Sequence, residues 1–137
     1  EPAAAHAKPA LDHSGKKRRG RASYYSRHLA GRVMADGTPM DPHASTAASK
    51  TLPLGTTARV TNLHNGRSTV VQIRDRGPFV KGRILDVSPQ AAQALGMKRS
   101  GVALVEVAPI DVPQPDGSVR SGAGAGERPA RDLPMGG

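Results

Sequence analysis

A small β-barrel with disordered tails is the fold class this sequence predicts, and three observations predict it. Short runs rich in Val, Ile, Leu and Thr recur through the middle of the chain, separated by Gly, Pro and Asn punctuation. One segment, opening at Ser88-Pro89, carries the start signals of a helix. Both ends lack usable periodicity and are built from Ala, Pro, Gly and charged residues. The reading is a basic disordered arm over 1–19, a folded unit over 20–110, and a Pro/Gly-rich disordered tail over 111–137.

Taken in order, the arm ends in the basic run Lys16-Lys17-Arg18-Arg19 and has no aromatic residue interleaved for base stacking. Residues 20–26 read as a strand carrying Tyr24 and Tyr25. Residues 27–44 form a long polar loop with Asp36, Asp41, His28 and His43, of a length that is usually functional or mobile. Residues 46–50 are expected to make one helical turn. Residues 56–63 alternate as a strand with Ala58, Val60 and Asn62 on one face. His64-Asn65-Gly66-Arg67 is a hairpin signal of the type I′ kind, and residues 68–74 return. Residues 83–87 make a further strand. Ser88 is an N-cap and Pro89 the first helical residue, with Gly96 closing the helix. Residues 102–107 form the last strand.

The core has to be aliphatic, because Tyr24, Tyr25 and Phe79 are the only aromatic side chains in 137 residues. A formal charge of +9 and a pI near 10.9 favour anionic partners such as nucleic acid, acidic lipid or an acidic wall polymer. The lack of cysteine excludes disulfides, a thiol nucleophile and a Cys-ligated metal. No run approaches the ~18 apolar residues of a membrane span. The chain opens at Glu1 without Met, which is compatible with a removed leader and with export.

The chemistry centres on Val70-Val71-Gln72-Ile73-Arg74-Asp75-Arg76-Gly77-Pro78. A β-branched run ends in a carboxylate flanked by two guanidiniums and stopped by a rigid turn. That arrangement suits the edge of a groove; it also suits a turn residue paired to Arg74 or Arg76. The stretch alone leaves both open.

The motif series extends over most of residues 20–110: Ala22-Ser23-Tyr24-Tyr25, Gly31-Arg32, Thr46-Ala47-Ala48, Lys50-Thr51-Leu52-Pro53-Leu54-Gly55-Thr56, Val60-Thr61-Asn62-Leu63, Asn65-Gly66-Arg67, Asp75-Arg76-Gly77-Pro78, Arg83-Ile84-Leu85-Asp86-Val87-Ser88 and Leu95-Gly96-Met97. In that order and spacing it resembles the rare lipoprotein A (RlpA) family of bacterial cell-envelope proteins, distantly similar to expansins. The resemblance implies a six-stranded double-psi β-barrel with one or two short helices. It also implies an exported, periplasmic or septal protein acting on peptidoglycan glycan strands that lack stem peptides, alongside division-machinery proteins.

Active members of the family are endolytic lytic transglycosylases. The muramic acid C6 hydroxyl attacks its own anomeric carbon and leaves a 1,6-anhydro end, with no metal or cofactor. One group protonates the leaving oxygen and one takes the C6 proton; a carboxylate of raised pKa can do both in turn.

Asp75 stands at the family's catalytic Asp. Thr38 stands where the family typically has Glu, Ser49 where it has His, and Ser26 where it has Gly. Thr and Ser can hydrogen-bond a sugar but do not buffer a proton near neutral pH. Asp86 is either a second carboxylate close to Asp75 or a structural acceptor. His43 is either a groove residue or a solvated loop side chain. Tyr24 and Tyr25 are candidate sugar platforms, with alternation sending one inward. Arg74 and Arg76 either hold a lactyl carboxylate or balance Asp75.

Three functions follow. An enzyme would work through Asp75 with an unusual partner. A binding module would hold glycan or recruit division proteins without cutting. Nucleic-acid binding explains the charge and none of the motifs, so it ranks last, and no specific nucleic-acid partner is expected.

Overall fold

The computed structural model describes residues 10–127. Seven strands and one α-helix form, and six of the strands close on themselves. The strands are β1 (Arg18–Tyr24), β2 (Thr46–Ala48), β3 (Thr57–Asn62), β4 (Ser68–Asp75), β5 (Arg83–Val87), β6 (Val102–Pro113) and β7 (Val119–Ser121), with α1 spanning Pro89–Ala94. The hydrogen-bonded order β1-β5-β2-β4-β3-β6 returns to β1, and β7 lies outside the ring on β6. β1/β5 and β2/β4 are parallel, while the other pairs are antiparallel. This is the small barrel the sequence predicts, in the double-psi form implied by the resemblance.

Period-two alternation fills the barrel. β3 buries Ala58, Val60 and Asn62; β4 buries Val71 and Ile73; β5 buries Leu85 and Val87; β6 contributes Val105 and Val107. α1 closes over them with Ala91 and Ala92, and Leu95 and Met97 follow it into the core. Its start is as predicted: Ser88 Oγ accepts the Ala91 N–H at 3.3 Å and Pro89 is the first helical residue.

Several local expectations change. Residues 46–50 do not make a helical turn, because Thr46–Ala48 is wedged between β4 and β5 as β2. Pairing on both edges outweighs the weak helical preference of two alanines. The β3–β4 connection is not a type I′ turn, since Gly66 (φ 77°) has positive φ and no residue other than glycine does. The side chains of Asn62 and Asn65 reach instead to the Leu95 carbonyl at 2.9 and 3.1 Å, which stitches the loop to the end of α1.

The folded boundaries are wider than 20–110. Arg18 and Arg19 belong to β1, where Arg18 grips Asp12 through two nitrogens at 2.9 and 2.7 Å. β6 continues to Pro113, and residues 119–124 pair along its free edge. Residues 1–9 of the expected arm and 128–137 of the expected tail lie outside the described residues.

Candidate functional site

The site forms where β4 ends. Asp75 is its last residue and is half-buried. One carboxylate oxygen, Oδ1, accepts the N–H of Ala35 at 2.9 Å and of Arg76 at 2.8 Å. The other, Oδ2, accepts the Tyr25 hydroxyl at 2.7 Å. An ionised carboxylate offers about four lone-pair sites, so one remains open, on Oδ2. Burial first, then the hydrogen bond to Asp75 and the charges of Asp75 and Asp86, push the Tyr25 phenol far above its ordinary value. Tyr25 therefore keeps its proton at neutral pH and serves as a fixed hydrogen-bond donor to Asp75.

The polar loop supplies the opposite wall. Ser26 caps a short 3-10 turn over Arg27–Leu29, and the loop folds back through a Val33–Pro39 bridge. Glycine at 31 (φ 84°) and 37 (φ 88°) turns the chain, while Met34 and Met40 are buried as anchors. The Asp36 N–H donates to the Arg74 carbonyl at 3.0 Å, and Arg74 Nη1 pairs with Asp36 Oδ2 at 3.1 Å. Partial desolvation of Asp36 is outweighed by hydrogen bonds from Thr38 and Arg74, so its pKa lies below the ordinary value. The loop is thus fastened to β4. Between loop and barrel lies an open cleft of ≈ 290 Å³, with Asp75, Tyr25 and Arg76 on one side and Leu29, Arg32, Val33, Met34 and Met40 on the other.

The predicted site residues distribute unevenly around this cleft. Tyr25 lines it, whereas Tyr24 packs against the core and its hydroxyl donates to the Lys98 carbonyl at 2.9 Å. Arg76 also lines it, but its Nη1 donates to the carbonyls of Ser49 at 2.9 Å and Leu52 at 2.7 Å. Burial, opposed by the Asp75 charge, lowers the Arg76 pKa. Thr38 turns its hydroxyl onto Asp36 Oδ1 at 2.5 Å. Ser49 is buried, and its Oγ accepts the N–H groups of Thr51 and Leu52 at 3.2 and 3.0 Å. His43 is exposed and does not line the cleft.

Asp86 lies on the same outer face of the barrel as Asp75. Ala48 is the register partner of Asp75 on one side and of Asp86 on the other, and Ser23 is the next partner along. Two strand spacings, about 10 Å, therefore separate the carboxylate-bearing positions. Asp86 accepts a hydrogen bond from Ser23 Oγ and lies 3.6 Å from Arg83. Among the described residues no His, Cys, Asp and Glu cluster has metal-binding geometry.

Sequence reading missed Leu29, Arg32, Met34 and Met40, and also the Ala35 N–H. The signal was present in the two loop methionines, which were unusual hydrophobics in a polar stretch.

A closed double-psi barrel with an acidic strand end opening into a cleft defines a class. The chain belongs to the family described as "Lytic transglycolase", which matches residues 17–107. A probable endolytic peptidoglycan transglycosylase RlpA of Nostoc sp. is 54% identical over 90 residues, covering 64% of this chain and 24% of the relative. The endolytic peptidoglycan transglycosylase RlpA of Vibrio cholerae is 44% identical over 96 residues, covering 70% of this chain and 36% of the relative. The chain therefore spans only about a quarter to a third of the length of these relatives. Among solved structures, the Streptomyces papain inhibitor superposes with a TM-score of 0.54 at 28% identity, covering 68% of this chain and 94% of the inhibitor. Apo expansin of Clavibacter michiganensis superposes with a TM-score of 0.53 at 25% identity, covering 69% of this chain and 50% of the expansin.

Proposed function

We propose that this barrel acts on peptidoglycan glycan strands, favouring strands without stem peptides, as an endolytic lytic transglycosylase of the cell envelope. The observation that carries the reading is the setting of Asp75: three donors fix its carboxylate at the floor of an open cleft and leave one lone pair on Oδ2. That lone pair takes the proton of the muramic C6 hydroxyl as O6 closes on C1. The glycosidic C1–O bond breaks, and the proton passes to the leaving oxygen, so none is consumed overall. Tyr25 orients the carboxylate throughout. Asp86 adds negative charge along the same face, where positive charge develops at the sugar ring. Arg32, exposed on the cleft wall, is placed to meet a lactyl carboxylate, and Arg74 and Arg76 mainly hold the walls. Export to the periplasm, placement at the septum and contact with division proteins belong to the same proposal; among the described residues no helix is long and apolar enough to cross a membrane.

A second reading, a barrel that holds glycan without cutting it, is favoured by one observation. The hydroxyls of Thr38 and Ser49, which stand where the resemblance expects Glu and His, are occupied by Asp36 and by a backbone turn. The fold does not decide between them, since it also serves a papain inhibitor. The test is a digest of stem-peptide-free glycan strands by the parent and by Asp75→Asn, with 1,6-anhydro ends read by mass spectrometry. Ends made by the parent and lost in the variant support the enzyme. Co-sedimentation of the parent with strands, without such ends, replaces it with the binding module.

A further inference from the structure

We propose that Phe79 is a stacking platform for a pyranose ring beside the Asp75 cleft, an inference that rests on the glycan-directed reading above. The chain has three aromatic side chains, and the fold engages two of them through their hydroxyls: Tyr24 to the Lys98 carbonyl and Tyr25 to Asp75. Phe79 has no polar handle and is 78% exposed, the largest value among the exposed large hydrophobics of the described residues. A phenyl ring left in water forgoes the stabilisation of burial, so a surface that covers it is favoured.

Topology decides what surface that is. The connection from β4 to β5 runs from Asp75 to Arg83, and β2 lies between those two strands. The connection must therefore pass the end of β2, whose last residue, Ala48, is flanked by Asp75 and Asp86. Phe79 is the midpoint of that crossing. The connection is also tied at both ends, by Arg76 on the Ser49 and Leu52 carbonyls and by the Arg83 N–H on the Val80 carbonyl at 3.1 Å.

One edge of the phenyl lies over the turn at Gly77, where an added Cβ would stand in ordinary van der Waals contact with two ring carbons, at 3.6 and 3.7 Å. The rest of the ring faces solvent. Val33, on the cleft wall and 70% exposed, adds a second apolar patch at the cleft. An aromatic face with electron-rich π density matches the apolar C–H face of a sugar, and a preset ring on a tied connection keeps the ordering cost small.

Phe79→Trp tests this directly, because the chain contains no other tryptophan. Titrating the variant with stem-peptide-free glycan strands is expected to shift its emission to shorter wavelength and saturate. Phe79→Ala is expected to keep the parent's melting temperature and to lose about tenfold in affinity for the same strands by co-sedimentation. Strands that bind the tryptophan variant without moving its emission, or an alanine variant that binds like the parent, overturn the platform and leave the proposed function standing. A parent that neither binds nor cleaves the strands overturns the proposed function itself, and the platform with it.

Discussion

The Tyr25 hydroxyl donates to Asp75 Oδ2 at 2.7 Å, across 50 residues of chain, and is the only side-chain donor to that carboxylate among the described residues. It joins the residue just past the end of β1 to the last residue of β4, two strands that do not pair in the barrel. Removing the hydroxyl therefore tests how the carboxylate is aimed without touching it. Tyr25→Phe is expected to lower the rate of anhydro-end formation by about 10²-fold with little change in KM, since misplacement acts on the reacting geometry. Stability should fall by only about 1 kcal/mol, as water reaches the freed lone pair of a half-buried carboxylate. A variant that cleaves at the parent's rate removes Tyr25 from the mechanism.

The Leu95 carbonyl accepts from both Asn62 and Asn65. Asn62→Ala is expected to cost about 1.5 kcal/mol in urea unfolding, at the low side because Asn65 still satisfies the carbonyl. The double Asn62→Ala, Asn65→Ala variant should cost more than the sum of the two, since it alone leaves the acceptor bare. Strict additivity would mean that the two asparagines do not share this task.

Asp12 has its pKa lowered from 3.8 to about 2, with partial burial outweighed by hydrogen bonds from Ser14 and by the Arg18 guanidinium. A depressed folded-state pKa stabilises the fold above the unfolded value, and that stabilisation disappears as pH falls through about 2. Asp12→Asn should therefore be less stable than the parent at pH 7, by about 1 kcal/mol after allowance for solvent screening. The gap should close as denaturation midpoints are followed down to pH 2. A gap that stays constant with pH contradicts the ion pair.

Gly122 sits against the edge of β6, where an added Cβ would lie 2.3 Å from the Pro109 carbonyl oxygen. Backbone cannot yield as a side-chain end can, so Gly122→Ala is expected to release residues 119–124 and raise their hydrogen exchange. Gly37→Ala is the control: its φ of +88° is strained for alanine, but nothing lies within 4 Å. It should cost about 1–2 kcal/mol and leave the β7 region protected. Equal exchange in both variants would show that β7 does not depend on this close approach.

The sequence by itself determined the elements whose signals are local. Alternation in residues 57–62 and 68–75, the Ser88-Pro89 start of α1, the aliphatic core and the Asp75-Arg76-Gly77-Pro78 strand end are all legible, because period and capping act over a few residues. The short β2 was not legible, because three small residues have no preference strong enough to resist two flanking strands. Arg18 and Arg19 read as a charged arm, yet they occupy β1, since β6 pairs with their backbone and sets Glu106 opposite Arg19, an ion pair at 3.2 Å. The tertiary structure alone decided which groups meet at Asp75. The Ala35 N–H lies 40 residues away and Tyr25 lies 50, and backbone donors carry no residue-type signal at all. It also decided which aromatic ring faces water: alternation gives each tyrosine a side, but only the closed barrel and the crossing past β2 leave Phe79 uncovered.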